Sequence, residues 1–221
     1  MQPTYPQDQA VTEGQATPTR PRPKPGERRV MILQTLAAML EAPKPEKITT
    51  AALAARLGVS EAALYRHFTS KAKMYEGLIE FIETTFFGLV NQIATREPDG
   101  VLQARAIAMM LLNFAVKNPG MTRVLTGEAL VGEDERLAER VEQMLERIEA
   151  SLRQSLRLAR LDAGASDGSA TAAPLPADYD PSMRASLVVS YVLGRWHRYA
   201  KSGFGKSPTE YADAQLRLIL Q

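Results

Sequence analysis

Apolar residues recur along most of this chain with the period of an α-helix. Between Asp134 and Leu161, the residues Leu137, Val141, Met144, Leu145, Ile148, Leu152 and Leu156 fall three or four apart, and charged residues fill the opposite side. Such spacing sets one stripe against a core and leaves the other face in water. The same reading gives a first helix over about Arg28 to Glu41, with Val30, Leu33, Leu36, Ala37 and Leu40 on one face and Pro43 and Pro45 as its stop. A long helix is expected over about 71–94, capped by Ser70. The next, over 101–117, is apolar nearly all round and is expected at the centre of the molecule. Asn118-Pro119-Gly120 breaks it, and further helices are expected over about 120–130, 181–201 and 208–220. No segment alternates as a strand does, so the fold class is all-α.

Residues 48–68, ITTAALAARLGVSEAALYRHF, carry a more particular pattern. Thr49 or Thr50 opens a short helix, Gly58 supplies a left-handed turn, and Ser60 opens a second helix. Leu53, Leu57, Val59 and Leu64 point inward and tie the two together. This is the helix-turn-helix arrangement, whose second helix lies in the DNA major groove. On its outer side that helix carries Ala62 and Ala63. Methyl groups let a backbone approach base edges and can touch thymine methyls. Tyr65, Arg66 and His67 then reach toward phosphates or bases. Lys71, at the start of the next helix, and the hydroxyls of Thr49 and Thr50 are phosphate candidates. Plainer alternatives exist: an ordinary αα-corner for the motif, a partly buried wedge for Tyr65, a packing residue for His67 and a solvated charge for Lys71.

Composition adds exclusions. The chain has 221 residues, 45% of them hydrophobic and 24% charged, with no Cys. Disulfides, thiol catalysis and thiolate metal sites are therefore ruled out. His67 and His197 are far apart with no ligand spacing around them, so neither a metal nor a cofactor is expected. Net charge is only +2, and the basic excess gathers in the first 30 residues. Residues 1–25 are Pro-, Thr- and Gln-rich and are expected to be a disordered tail; residues 163–181, small and Gly/Pro-rich, are expected to be a mobile loop. No apolar run approaches the ~18–20 residues of a membrane span and no signal core opens the chain, so a cytoplasmic protein is expected. No nucleophile–base constellation, phosphate-binding Gly loop or paired acid site speaks for an enzyme.

The order of one helix, this motif, then LYRHF and SK resembles the TetR family of transcriptional regulators. The stretches ITTAALAARLGVSEAALYRHFTSK, LIEFIE, NPGMTRVLTGEAL and ERIEASLRQSLR extend the likeness from about Arg28 to the C-terminus, interrupted at 163–181, and are similar to the nucleoid occlusion branch of that family. The resemblance implies a DNA-binding unit over 26–70 and a dimerisation and partner-binding unit over 71–221. It implies a homodimer on palindromic double-stranded DNA, with half-sites about one helical turn (~34 Å) or a multiple apart. The last two long helices would form a four-helix bundle with a second copy, through Leu187, Val188, Tyr191, Val192 and Trp196 on one and Tyr211, Leu216, Leu218 and Ile219 on the other. While on DNA, the protein would antagonise assembly of the tubulin-like division protein FtsZ, whose C-terminal tail would lie between the 71–94 and 101–117 helices.

The residues give that second site some support of their own. The stripe of the 71–94 helix centres on Leu78, Ile82, Leu89 and Ile93, with Phe81 at its edge beside Gly77, Thr84 and Gly88. On the next long helix Met110, Asn113 and Lys117 share a face, followed by Asn118. If the two helices are neighbours, Phe81, Met110, Asn113, Lys117 and Asn118 could line one groove for a peptide. Core packing for Phe81, a satisfied core amide for Asn113 and a helix-dipole partner for Lys117 are the plainer alternatives. The other function class is a repressor that answers to a small effector, held in a cavity lined by Met109, Met110, Phe114, Tyr191 and Trp196.

Overall fold

The computed structural model describes residues 26–42, 47–165 and 175–221, without the side chains of 162–165. The expected tail at 1–25 lies outside the described residues, as do the stops Pro43 and Pro45 and residues 166–174 of the expected loop. Among the described residues the chain forms α1 (Glu27–Met39), α2 (Thr50–Leu57), α3 (Glu61–Tyr65), α4 (Lys71–Arg96), α5 (Gly100–Lys117), α6 (Pro119–Leu125), α7 (Glu135–Ala165), α8 (Pro181–Lys201) and α9 (Ala212–Leu220), with a 3-10 turn at Glu128–Leu130. No strand occurs among these residues.

Local chemistry explains the starts. Ser70 accepts a hydrogen bond from the Lys73 backbone N–H at 3.2 Å, Asp99 accepts from Val101 and Leu102 at 2.8 and 2.9 Å, and Asp180 accepts from Ser182 at 2.8 Å ahead of Pro181. Each satisfies an amide that has no partner inside its own helix. Several ends differ from the sequence expectation. The expected 120–130 helix is divided by Gly127 at φ 75° into α6 and the 3-10 turn. The last helix begins at Ala212 rather than 208, because Tyr211 takes a left-handed conformation at φ 56°. Residues 163–165 continue α7 instead of opening the loop.

The central helix is α5, which packs against α4, α6, α7, α8 and α9. By length and composition α5 is the one helix among the described residues apolar enough to cross a membrane, contrary to the expectation from runs alone; Ile107, Leu111, Leu112 and Phe114 are buried in the interior of this bundle, while Leu102 and Val116 are exposed. Phe86 of α4 meets Phe114 of α5 edge to face at 4.7 Å and stacks near Trp196 of α8 at 6.3 Å. The Trp196 indole N–H donates to the Leu111 carbonyl at 3.2 Å. Of the side chains expected to line an effector cavity, Phe114 and Trp196 are thus core, while Met109, Met110 and Tyr191 are half-buried. The α7 stripe is buried at all seven expected positions. In α1 the expected face is rotated: Ile32 is buried and Val30 is 53% exposed. In α4 the buried line runs through Met74, Tyr75, Leu78, Ile79, Ile82, Phe86 and Val90, leaving Leu89 and Ile93 only half-buried.

Two expected dimer faces divide in the same way. Val188, Val192, Trp196 and Leu216 are buried within their own chain, so they cannot face a second copy. The exposed line of α8 is Met183, Leu187, Ser190 and Gly194, with Tyr211 and Leu218 exposed at α9.

Candidate nucleic-acid interface

The helix-turn-helix is α2, the turn 58–60 and α3. Thr49 is the N-cap of α2, its hydroxyl accepting from the Ala52 backbone N–H at 3.1 Å. Gly58 closes α2 in the left-handed region (φ 66°, ψ 37°), and the Val59 backbone N–H returns to the Ala54 carbonyl at 3.0 Å. A side chain at that φ would be strained, so this position requires glycine. Ser60 caps α3 by accepting from the Ala63 backbone N–H at 3.3 Å. Leu53 and Leu64 are fully buried between the helices, with Leu57 and Val59 partly buried beside them. One end of the motif is fixed from α1: the Arg29 guanidinium donates to the His67 carbonyl at 2.6 Å and lies 4.2 Å over the Phe68 ring.

With its inner face so fixed, α3 turns a nearly bare surface outward. Ala62 is exposed and Ala63 half-buried, while Tyr65 is 44% exposed and Arg66 exposed. His67 is half-buried at the end of the helix. Arg56 and Arg66 are exposed and have no ion-pair partner among the described residues. Such cations are free to meet phosphates.

Two expected phosphate contacts are otherwise engaged. The Thr50 hydroxyl donates to Glu61 Oε2 at 2.5 Å, and the Tyr65 hydroxyl lies 3.5 Å from Thr50 Oγ1. Glu61 was not legible as a site residue because an acid just after a helix cap reads as an ordinary first-turn residue. Lys71 is not a solvated or waiting charge: its ammonium pairs with Glu133 at 2.5 Å, both side chains being mostly buried. The same ammonium lies 5.7 Å from the Tyr75 ring, and burial together with the Glu133 charge pushes the Tyr75 phenol up to about 12. Lys47, just before α2, donates to the Gly132 carbonyl beside Glu133 at 3.4 Å. The connection between α6 and α7 therefore holds the α2 entry and the α4 start at once. Glu133 is thus part of this clasp.

The residues expected to line a second groove are placed as follows. Helices α4 and α5 are neighbours, as the Phe86–Phe114 contact requires. Phe81 is 50% exposed, so it is not core, and Thr84 and Gly88 near it are exposed too. On α5, Asn113 and Lys117 are exposed and Met110 is half-buried, so Asn113 is not a core amide. Asn118 is partly committed to its own helix end, its amide N–H donating to the Phe114 carbonyl at 2.9 Å. Just beyond it, α6 is set tightly on α1: the buried Arg123 donates to the Leu40 and Ala42 carbonyls at 2.6 and 2.5 Å, pairs with Glu128 at 3.4 Å and lies over Phe204 at 4.5 Å. Among the described residues no group of His, Asp or Glu could hold a metal ion.

A capped helix-turn-helix with an exposed second helix, carried on a larger helical body, defines a DNA-binding regulator of the TetR type. The family of bacterial regulatory proteins called tetR matches residues 32–78, and the SlmA-like family, described as tetracyclin repressor-like C-terminal domain, matches residues 99–221. A nucleoid occlusion factor SlmA from Alteromonas mediterranea is 45% identical over 195 residues, covering 88% of this chain and 95% of the relative. One from Idiomarina loihiensis is 46% identical over 194 residues, covering 88% and 94%. A TetR transcription regulator from Haloarcula marismortui has the same fold, with a TM-score of 0.70, 15% identity and coverage of 88% and 97%. The chain belongs to the SlmA family of nucleoid occlusion factors, a DNA-binding branch of the TetR-type regulators and not a family of enzymes.

Proposed function

We propose that this protein binds chromosomal DNA as a homodimer at palindromic sites and, while bound, restrains assembly of FtsZ over the nucleoid. The observation that carries the reading is that relatedness to nucleoid occlusion factors runs through residues 99–221, well beyond the helix-turn-helix. The DNA contacts are assigned to Ala62 and Ala63 at the bases and to Thr49, Ser60, Tyr65, Arg66 and His67 around them, with Lys71 reaching phosphate only by exchanging its present partner and Thr50 kept on Glu61. Dimerisation is assigned to the exposed line Met183, Leu187, Ser190 and Gly194, whose alternating spacing of four and three suits a helix seam. The FtsZ tail is assigned to the edge formed by Phe81, Met110, Asn113, Lys117 and Asn118.

The test is genome-wide binding followed by FtsZ polymerisation with and without a recovered duplex. Inhibition that appears or strengthens with the duplex supports the reading. Ligand-induced release from DNA, with no effect on FtsZ, would favour the effector-responsive repressor instead.

A further inference from the structure

We infer that Glu61 is a base-reading residue that selects cytosine at one position of each half-site; this rests on the reading that α3 enters the major groove. Glu61 is exposed, and it stands at the first position of α3, the end of a recognition helix that meets base edges. Ala62 and Ala63 carry no hydrogen-bonding group, so on this part of the surface Glu61 is the side chain with a code to offer. Its carboxylate is also oriented. Oε2 accepts the Thr50 hydroxyl at 2.5 Å, which fixes the rotamer from the neighbouring helix and leaves Oε1 with no hydrogen-bond or ion-pair partner among the described residues.

The sign of the charge narrows the ligand. A carboxylate on a surface that also presents Arg56 and Arg66 repels phosphate, so it does not serve general affinity. In the major groove the donors are the amino groups of cytosine and adenine. Cytosine N4 is the usual partner of Asp and Glu, whereas adenine sets its N7 acceptor beside its N6 amino group, a pattern that suits an amide. At a wrong base the carboxylate is desolvated against an acceptor or a methyl group, and that penalty makes the discrimination.

Selection of duplexes from a randomised library by the full chain and by two variants tests this. The wild type is expected to enrich a symmetric motif with a C·G pair at one position of each half-site, discriminated about ten-fold or more. Glu61→Ala should remove the C·G preference at that position while the rest of the motif is kept. Glu61→Gln, which keeps the size and the acceptor for Thr50, should shift the preference toward A·T. Thermal unfolding of each variant is read alongside. An unchanged motif in both variants, or a loss of stability with the motif retained, overturns the inference and leaves Glu61 as a helix-start residue. If the wild type enriches no duplex, the DNA reading falls and this inference with it.

Discussion

Gly120 lies so close to Ala37 that a methyl group on it would sit 2.0 Å from the Ala37 carbonyl oxygen. The contact is backbone against backbone, and no rotamer change can relieve it. It seats α6 on α1 beside the Arg123 clamp, and so joins the helix-turn-helix to the rest of the chain. Gly120→Ala is expected to lower stability by roughly 1–3 kcal/mol, the ordinary range for overpacking. Gly88→Ala, where an added methyl meets nothing within 4 Å, is the control and should lose nothing or gain slightly. Chemical denaturation of the two variants checks both.

Lys71→Ala should do two separable things. It leaves the Glu133 carboxylate, 10% exposed, without its cation, costing roughly 1–3 kcal/mol. It also removes a phosphate contact, so affinity should fall for all duplexes alike and the salt slope should flatten by about one. Adding Glu133→Gln should recover much of the stability and none of the affinity. Recovery of both would show that Lys71 acts only through the folded state.

Phe81→Ala is expected to leave DNA affinity intact and to abolish inhibition of FtsZ assembly. Because Phe81 is half exposed, the unfolding midpoint should move little. DNA-binding anisotropy and sedimentation of FtsZ polymers, run with the same duplex, read the two properties. FtsZ inhibition that survives in Phe81→Ala would move the partner site elsewhere.

Tyr75 gives stability an alkaline limit. Burial, then the Glu133 charge, raises its phenol from 10.0 to about 12, so the folded protein holds the proton where the unfolded chain has lost it. Its contribution is whole below pH 10 and is lost as pH rises through 12. Tyr75→Phe should therefore show a shallower fall in thermal midpoint between those values than the wild type. Burial also raises Tyr179, Tyr191 and Tyr199, so some slope will persist in the variant.

Much of this was legible in the order of residues, for identifiable reasons. The α7 stripe has one apolar face and one charged face, and all seven expected positions are buried. Caps are short-range chemistry, so Ser60 and Ser70 could be read directly and the cap of α2 narrowed to Thr49 or Thr50, of which the fold uses Thr49. On α1 the apolar residues Val30, Ile32 and Leu33 surround the axis, and packing against α2 and α4 decides that Ile32 goes inside. Lys71 defeats local reading for another reason: Glu133 lies 62 positions further along the chain. Glu61 is close in sequence, but its meaning depends on a hydroxyl from the other helix.

The chain's single tryptophan, Trp196, is wholly buried against Phe86 with its indole N–H engaged. Its fluorescence is therefore a dedicated optical readout of the α4–α5–α8 interior, while α1 to α3 contribute no indole signal. Loss of helical circular dichroism ahead of the tryptophan red shift would reveal the N-terminal helices opening first, in unmodified protein and without a label.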